Sequence, residues 1–142
     1  IDTSTGATVT SKGIVNAIKG AIEQAQKAPV VDGDTYTYTL TAKGYGGDAN
    51  PMTVKVSVNK ANETVTKVEV VEYAGETDGF GIDLIESGTG GSLNEKAKAF
   101  HDNVLNGETK WADVSGIDTS TGATVTTKGI VNAIQEAIDQ TK

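Results

Sequence analysis

The sequence predicts an α+β domain in which a small antiparallel sheet is flanked by helices. Two observations support this fold class. In the body of the chain, from about residue 29, apolar and polar residues first alternate, and amphipathic helical patterns appear there only after residue 92. Strands followed by helices are typical of α+β domains, whereas α/β domains alternate the two kinds of element.

Three strands and two connections are predicted from the alternation. Residues 34–42, 52–58 and 64–73 form the strands, and Asn59–Glu63 forms a turn that makes a hairpin of the last two. A glycine-rich loop, Lys43–Pro51, joins the first strand to this hairpin. The apolar residues that share the buried face of the first two strands are Tyr36, Tyr38, Leu40, Ala42, Met52, Val54, Val56 and Val58.

The helices are predicted in the second half of the chain. Residues 75–91 are rich in Gly and predict a loop. Ser92 and Glu95 have the spacing of a capping box, which opens an amphipathic helix that ends near Gly107. A final helix covers about 127–141. The apolar faces of the two helices consist of Leu93, Ala97, Phe100 and Val104, and of Ile130, Val131, Ile134 and Ile138.

An internal repeat divides the chain. Residues 1–26 and 117–142 are identical at 20 of 26 positions, at a constant offset of 116. Solenoid repeats have periods of about 20–50 residues, so this period is that of a whole domain. We therefore expect residues 1–28 to be the tail and last helix of a preceding domain. Residues 29–142 then form one complete domain, with a link containing Pro29 at 27–32.

Composition limits the possible functions. The net charge of −7, with 12 Lys, no Arg and 19 acidic residues, argues against nucleic acid as a partner, because phosphate binding needs a basic surface. The absence of Cys excludes disulfides, thiolate metal sites and cysteine catalysis, and it fits an oxidising extracytoplasmic setting. No apolar stretch approaches the ~18 residues of a membrane span. The first residue is Ile, so the lack of a signal peptide does not locate the protein.

The residues best suited to bind a ligand lie in the segment Asp118–Thr124, which leads into the final helix. This hydroxyl-rich turn precedes a helix N-terminus, where free N–H groups and the helix dipole favour an anion. Gly122 allows a ligand to approach the backbone. Ser and Thr at such a position also serve as simple helix caps, and spacing alone leaves both interpretations open.

These residues resemble the signature of the FMN-binding domain family, in which an Asp is followed by S/T-G-A-T and a further Thr or Ser. Two other blocks resemble the family as well: 42–59 contains its Gly-Tyr-x-Gly loop, and 72–81 contains its E-T-P-G-hydrophobic-G segment. The resemblance covers about residues 32–142. Asp78 replaces the usual Pro and Phe80 the usual Leu, and no His precedes Glu76. The residues that match the signature are Asp118, Thr121, Gly122, Ala123, Thr124 and Thr126.

The resemblance implies a cofactor site. Thr124 is the expected acceptor, to which a flavin transferase attaches FMN through a phosphoester. Thr8 is the same residue in the first copy, and it is a second acceptor if the transferase reads only the local motif. Tyr45 is expected to contact the flavin from its loop. The expected wall along the isoalloxazine edge consists of Glu76, Thr77, Gly79, Phe80 and Gly81.

The resemblance also implies a cellular role. We expect an electron carrier without catalytic side chains, located outside the cytoplasm of a Gram-positive cell and anchored at its surface as a lipoprotein in the full-length chain. A quinone-linked donor in the membrane would reduce it, and an extracellular acceptor would oxidise it. Because the chain has no Arg to stabilise the anionic reduced flavin, we expect a low reduction potential.

Other candidate sites are weaker. His101 is the only histidine and is expected to be a solvent-exposed bystander, so no metal site is predicted. Trp111 is either a core residue or a partner for the flavin ring. The acidic residues Asp32, Asp34 and Asp48 do not match the frame of a calcium loop.

Two alternatives to the electron carrier remain open. A cofactor-free adhesin or stalk repeat would explain the tandem copies, the acidity and the Thr content, but it would leave the three family blocks unexplained. An electron-feeding domain of a fused extracellular reductase would need a catalytic domain outside these residues.

Overall fold

Three of the five strands arise where the alternation predicts them. In the computed structural model, which describes residues 28–142, five strands form an antiparallel sheet in the order β1-β2-β3-β4-β5. All helices of the described residues follow β4 in the chain, so the prediction of an α+β fold is confirmed. The strands are β1 Val30–Asp32, β2 Thr35–Ala42, β3 Met52–Asn59, β4 Thr64–Glu72 and β5 Thr109–Lys110.

The register of β2 and β3 builds the core. Tyr38 pairs with Val56 and Leu40 with Val54, so both apolar sets point to the same face of the sheet. Met52, Val54, Val56 and Val58 are completely buried, as predicted. β1 lies in the segment predicted as a link, because Val30–Asp32 pairs with the start of β2.

Four helical segments follow β4 in the described residues. The helix α1 (Gly81–Glu86) lies inside the predicted loop 75–91, so that prediction is wrong there. The buried residues of this helix are Gly81 and Leu84, and one buried large side chain is too little for a periodic signal. The others are α2 Glu95–Phe100, continued by a π-helical turn at His101–Leu105, a 3₁₀ helix at Trp111–Gly116, and α3 Thr124–Thr141.

Two helix starts differ from the prediction. Helix α2 is capped by Asn94, whose side chain accepts a hydrogen bond from the N–H of Lys96 at 2.9 Å, so the proposed capping box of Ser92 and Glu95 is wrong. Ser92 instead donates to carbonyls of other loops. Helix α3 begins at Thr124, three residues before the predicted start, because the first-turn residues Thr126 and Thr127 are buried rather than solvent-facing.

Helix α3 covers the apolar face of β2 and β3. Ile130, Ile134 and Ile138 are buried against the sheet. Close approach is required at Gly129, where a Cβ would collide with the carbonyl of Lys43. At the other end of the helix, the buried hydroxyls of Tyr38 and Thr141 share a hydrogen bond of 2.9 Å.

The structure also gives the surroundings of His101 and Trp111. The predicted exposure of His101 is wrong: its ring is half-buried, and Nδ1 lies 3.1 Å from the carbonyl oxygen of Leu84. Trp111 packs against the core and donates from Nε1 to the carbonyl of Thr64 at 3.0 Å.

No helix among the described residues is both long and apolar enough to cross a membrane. The expected tail at 1–28, its helix and Thr8 fall almost wholly outside the described residues, and the domain division stays a prediction.

Candidate functional site

A cavity opens at the N-terminus of α3. Its volume is about 340 Å³, within the range of small-molecule sites. Three large apolar side chains at its rim are unusually exposed: Tyr45 at 72%, Val125 at 53% and Phe80 at 45%. Exposed apolar clusters of this kind mark binding sites, so the rim suits a flat apolar ligand. The cavity is lined by Tyr45, Thr77, Phe80, Gly81, Gly122, Ala123, Thr124, Val125 and Thr126.

Thr124 is the first residue of α3 and its side chain is exposed in this cavity. Ala123 occupies the N-cap position, and no side chain caps the helix. The first backbone bond of the helix runs from the N–H of Thr127 to the carbonyl of Ala123, at 3.0 Å. The N–H groups of the first turn therefore stay available to an anion beside the Thr124 hydroxyl, and the helix dipole favours its negative charge.

The loop before Thr124 has a conformation that only glycine adopts easily. Gly122 has φ +88°, and a Cβ there would collide with the carbonyl of Ser92. Thr121 is completely buried, and its hydroxyl lies 2.7 Å from that of Thr127 and accepts from the N–H of Ala123 at 3.2 Å. The buried side chain of Thr121 thus stabilises the conformation of the loop before Thr124.

Asp118 anchors the other end of this loop. Its carboxylate forms an ion pair with Lys96 at 2.8 Å and accepts from both the hydroxyl and the N–H of Ser120, at 2.5 and 2.9 Å. Asn94 adds a bond from its side-chain amide to the carbonyl of Ser120 at 2.8 Å. The hydrogen bond with Lys96 and those with Ser120 hold the pKa of Asp118 well below its usual range.

The pH dependence of this anchor is predictable. A carboxyl whose pKa is lower in the folded state stabilises that state at neutral pH, and the contribution disappears as the pH falls through the lowered value. The loop should therefore stay anchored at the ordinary Asp pKa of about 4 and loosen only in stronger acid. The amide resonance of Ser120, followed by NMR against pH, should report this transition, and Asp118→Asn should abolish it. A midpoint at or above the ordinary Asp value would contradict the anchoring role.

The Glu76 side chain connects its own segment to two others at the site. Glu76 is only 6% exposed, and its carboxylate accepts a hydrogen bond of 2.5 Å from the hydroxyl of Thr126, in the first turn of α3. It also accepts from the N–H groups of Tyr45 and Gly46 at 3.1 and 3.4 Å. A Cβ on Gly44 would collide with this carboxylate. Glu76 therefore links the Tyr45 loop to the helix that carries Thr124.

Eight of the twelve predicted site residues line the cavity: Tyr45, Thr77, Phe80, Gly81, Gly122, Ala123, Thr124 and Thr126. The other four do not line it. Asp118, Thr121 and Glu76 make the contacts described above, and the carbonyl of Gly79 accepts from the N–H of Ser92 at 2.9 Å. Sequence reasoning missed Val125, which lies at a position of the signature that carries no required residue type. It also missed the supporting side chains of Ser92, Asn94 and Lys96, which lie outside the three blocks that resemble the family.

Among the described residues, no three His, Asp or Glu side chains come close enough together to hold a metal ion. The residues that line the cavity contain no carboxylate, imidazole or amine, and Tyr45 is the one titratable group among them. The site can therefore bind an apolar ring system with an anionic end, but it offers no acid–base pair for catalysis.

One of three comparisons with known proteins gave a match. Neither curated proteins nor solved structures gave a match. The family model described as "FMN-binding domain" matches residues 44–139, which contain every predicted site residue except Thr8. This span includes the Tyr45 loop, the Glu76–Gly81 segment and the N-terminus of α3. The chain belongs to the FMN-binding domain family.

Proposed function

We propose that this domain is an electron carrier whose FMN is linked through a phosphoester to the side chain of Thr124. The observation that supports it best is the position of Thr124, which is exposed inside the cavity at an uncapped helix N-terminus. A hydroxyl with a purely structural role would be expected to cap the helix or bond to a neighbour. Thr121, Thr126 and Thr127 do make such bonds.

The residues around the cavity fit both the phosphate and the isoalloxazine ring of FMN. The free N–H groups of the first turn of α3 suit a phosphate that keeps one negative charge after esterification. The exposed side chains of Tyr45, Phe80 and Val125 suit the isoalloxazine ring, because a flat ring would cover their apolar surface. At Gly81 a Cβ would collide with the hydroxyl of Thr126, so the absence of a side chain there lets the Glu76–Gly81 segment lie close to helix α3.

Attachment requires a separate enzyme. In the proposed step, the Thr124 oxygen loses its proton and forms a bond to the flavin-side phosphorus of a flavin dinucleotide. The phosphoanhydride bond breaks, and a nucleoside monophosphate leaves. The cavity wall offers no side chain suited to take the proton. A flavin transferase is therefore the expected partner, and this domain is its substrate.

When bound, FMN supplies reversible one- and two-electron chemistry. The protein contributes binding, orientation and electrostatics. The chain carries a net charge of −7 and no Arg, so little positive charge is available to stabilise an anionic reduced flavin. This favours a role as a low-potential carrier.

The proposed setting is the outer surface of a Gram-positive cell, with the full-length chain anchored as a lipoprotein. A membrane donor linked to quinones would reduce the domain, and an extracellular acceptor would oxidise it. Covalent attachment suits this setting, because a dissociated cofactor would be diluted and lost. The Cys-free composition is compatible with it.

The test is to produce the chain together with a flavin transferase, and in a matched culture without it. We expect the flavin absorbance to stay with the polypeptide after denaturation and gel filtration only in the first case. Redox titration of the folded product should give a midpoint potential at or below that of free FMN. Flavin that separates on denaturation would contradict the linkage, and a potential well above that of free FMN would contradict the electrostatic argument.

A further inference from the structure

Two separate segments form the parts of the cavity that suit the two ends of FMN. Phe80 lies at the rim, in the segment 76–81, which we call the ring wall. Thr124, the proposed acceptor, begins α3 on the other side. The spacing of the two segments decides whether a ring attached through Thr124 can rest against Phe80, so the contacts that join them control how the ring is held.

The ends of the ring wall are joined to the turn that follows the acceptor. Glu76 accepts a hydrogen bond from the hydroxyl of Thr126, and Gly81 lies so close to the same hydroxyl that a Cβ would collide with it. Thr126 lies two residues after Thr124. These contacts reach neither Gly79, in the middle of the wall, nor the loop before the acceptor.

Ser92 joins these two remaining parts. Its N–H donates to the carbonyl of Gly79 at 2.9 Å, and its hydroxyl oxygen lies 3.2 Å from the carbonyl oxygens of both Gly79 and Gly122. Because the N–H already serves Gly79, the single hydroxyl hydrogen is available to Gly122. Gly79 directly precedes Phe80, and Gly122 lies two residues before Thr124. One serine therefore connects the two sides of the cavity.

Close backbone contacts hold Ser92 in this place. A Cβ on Gly91 would collide with the carbonyl of Gly79, and a Cβ on Gly122 would collide with the carbonyl of Ser92. Gly91 also has φ +51°, a conformation that glycine adopts without strain. The backbone around Ser92 is thus packed against the ring wall on one side and against the loop before the acceptor on the other.

From these contacts we propose that Ser92 is a positioning residue, which sets where the flavin ring lies relative to Thr124. Glu76 holds the ring wall to the turn after the acceptor, and Ser92 holds it to the loop before the acceptor. Loss of the Ser92 hydroxyl loosens the second connection and lets the ring move. The effect on the ring rests on the proposed function, but the connection between the wall and the loop does not.

The connection is tested in the apoprotein by hydrogen exchange of single amides, followed by NMR in the full 142-residue chain. The amides to follow are that of residue 92 and that of Asn94, which donates to the carbonyl of Thr121 at 3.2 Å. Ser92→Ala removes the bond to Gly122, and we expect both amides to exchange about three- to tenfold faster, as the loss of one hydrogen bond implies. Ser92→Thr keeps the hydroxyl and should restore both rates.

Ser87→Ala is the matched control. The hydroxyl of Ser87 is also exposed and also lies near two carbonyl oxygens, those of Asp83 and Thr89, at 3.2 and 3.0 Å. Neither residue lines the cavity, so this variant should leave both exchange rates at the wild-type value.

The role in positioning is tested in the flavinylated chain, with each signal measured per attached flavin. In Ser92→Ala we expect the fluorescence anisotropy of the flavin and its visible circular dichroism to fall toward the values of free FMN. Ser92→Thr should restore both signals, and Ser87→Ala should change neither. A residue that only stabilised the fold would lower the urea midpoint and leave both signals of the folded protein unchanged.

The outcomes separate the two parts of the proposal. Wild-type exchange of both amides in Ser92→Ala, or equal acceleration in Ser87→Ala, overturns the connection. Faster exchange with wild-type anisotropy and circular dichroism overturns the positioning of the ring. A chain to which no flavin attaches contradicts the proposed function and the effect on the ring, and the exchange rates of the apoprotein then decide the connection alone.

Discussion

Glu76→Ala is expected to destabilise the apoprotein by about 2–4 kcal/mol, because the Thr126 hydroxyl and two backbone N–H groups lose their acceptor. The damage should concentrate at the cavity, since these groups belong to the Tyr45 loop and the first turn of α3. Urea unfolding would give the change in the free energy of unfolding. Flavin fluorescence anisotropy of the loaded protein would report how firmly the ring is held, and we expect it to fall.

Two further variants give this prediction its controls. Glu72→Gln changes an exposed glutamate that accepts one side-chain bond, from Thr53 at 3.3 Å, and should alter stability by no more than about 0.5 kcal/mol. Glu76→Gln keeps one carbonyl acceptor and should fall between wild type and Glu76→Ala. If Glu76→Ala and Glu72→Gln unfold at the same urea concentration, Glu76 does not join the loop to the helix.

Gly122→Ala is the second change with a large expected effect. Two costs add at this position: a side chain at φ +88°, and a collision between the new Cβ and the Ser92 carbonyl. We expect a loss of about 2–4 kcal/mol in unfolding free energy, since either form of strain costs about 1–3 kcal/mol. The loop must shift to relieve the collision, so the yield of flavinylated protein should fall at least tenfold.

Gly33→Ala separates the two costs. Gly33 also has a positive φ, +59°, but its Cβ would have no heavy atom within 4 Å. This variant should therefore lose only about 1–2 kcal/mol and should be flavinylated normally. Equal losses of stability and of flavin in Gly122→Ala and Gly33→Ala would contradict a specific role for the contact between Gly122 and Ser92.

The sequence predicts the parts of this fold that have a clear period. The alternation through Tyr38, Leu40, Val54 and Val56 establishes both the strands and their buried face, because an error of one residue would turn every side chain outward. Helix α1 has no such signal, since it is six residues long and its one buried large side chain is Leu84. It packs against α3 and the π-helical turn at His101–Leu105, which are distant in sequence.

The contacts of the candidate site likewise divide into those that the sequence predicts and those that it does not. Thr124 and Gly122 belong to one contiguous motif, so sequence alone brings them together. The bond between Asp118 and Lys96, and that between Glu76 and Thr126, join segments 22 and 50 residues apart. Nothing in either local pattern indicates such pairings. Asp118, Thr121 and Glu76 are expected among the cofactor-binding residues from the family resemblance, and in the structure they support the loops around the cavity without lining it.

The measurement that tests the central claim most directly is the intact mass of the denatured chain after production with a flavin transferase. It is best made with Thr8→Ala, so that the first copy contributes no acceptor. We predict an increase of one FMN less one water, located on the tryptic peptide 111–128. Thr8→Ala/Thr124→Ala should have the unmodified mass, and Thr8→Ala/Thr124→Ser, which keeps a hydroxyl, should retain some FMN. A full FMN increment on the double alanine variant would contradict the assignment of Thr124.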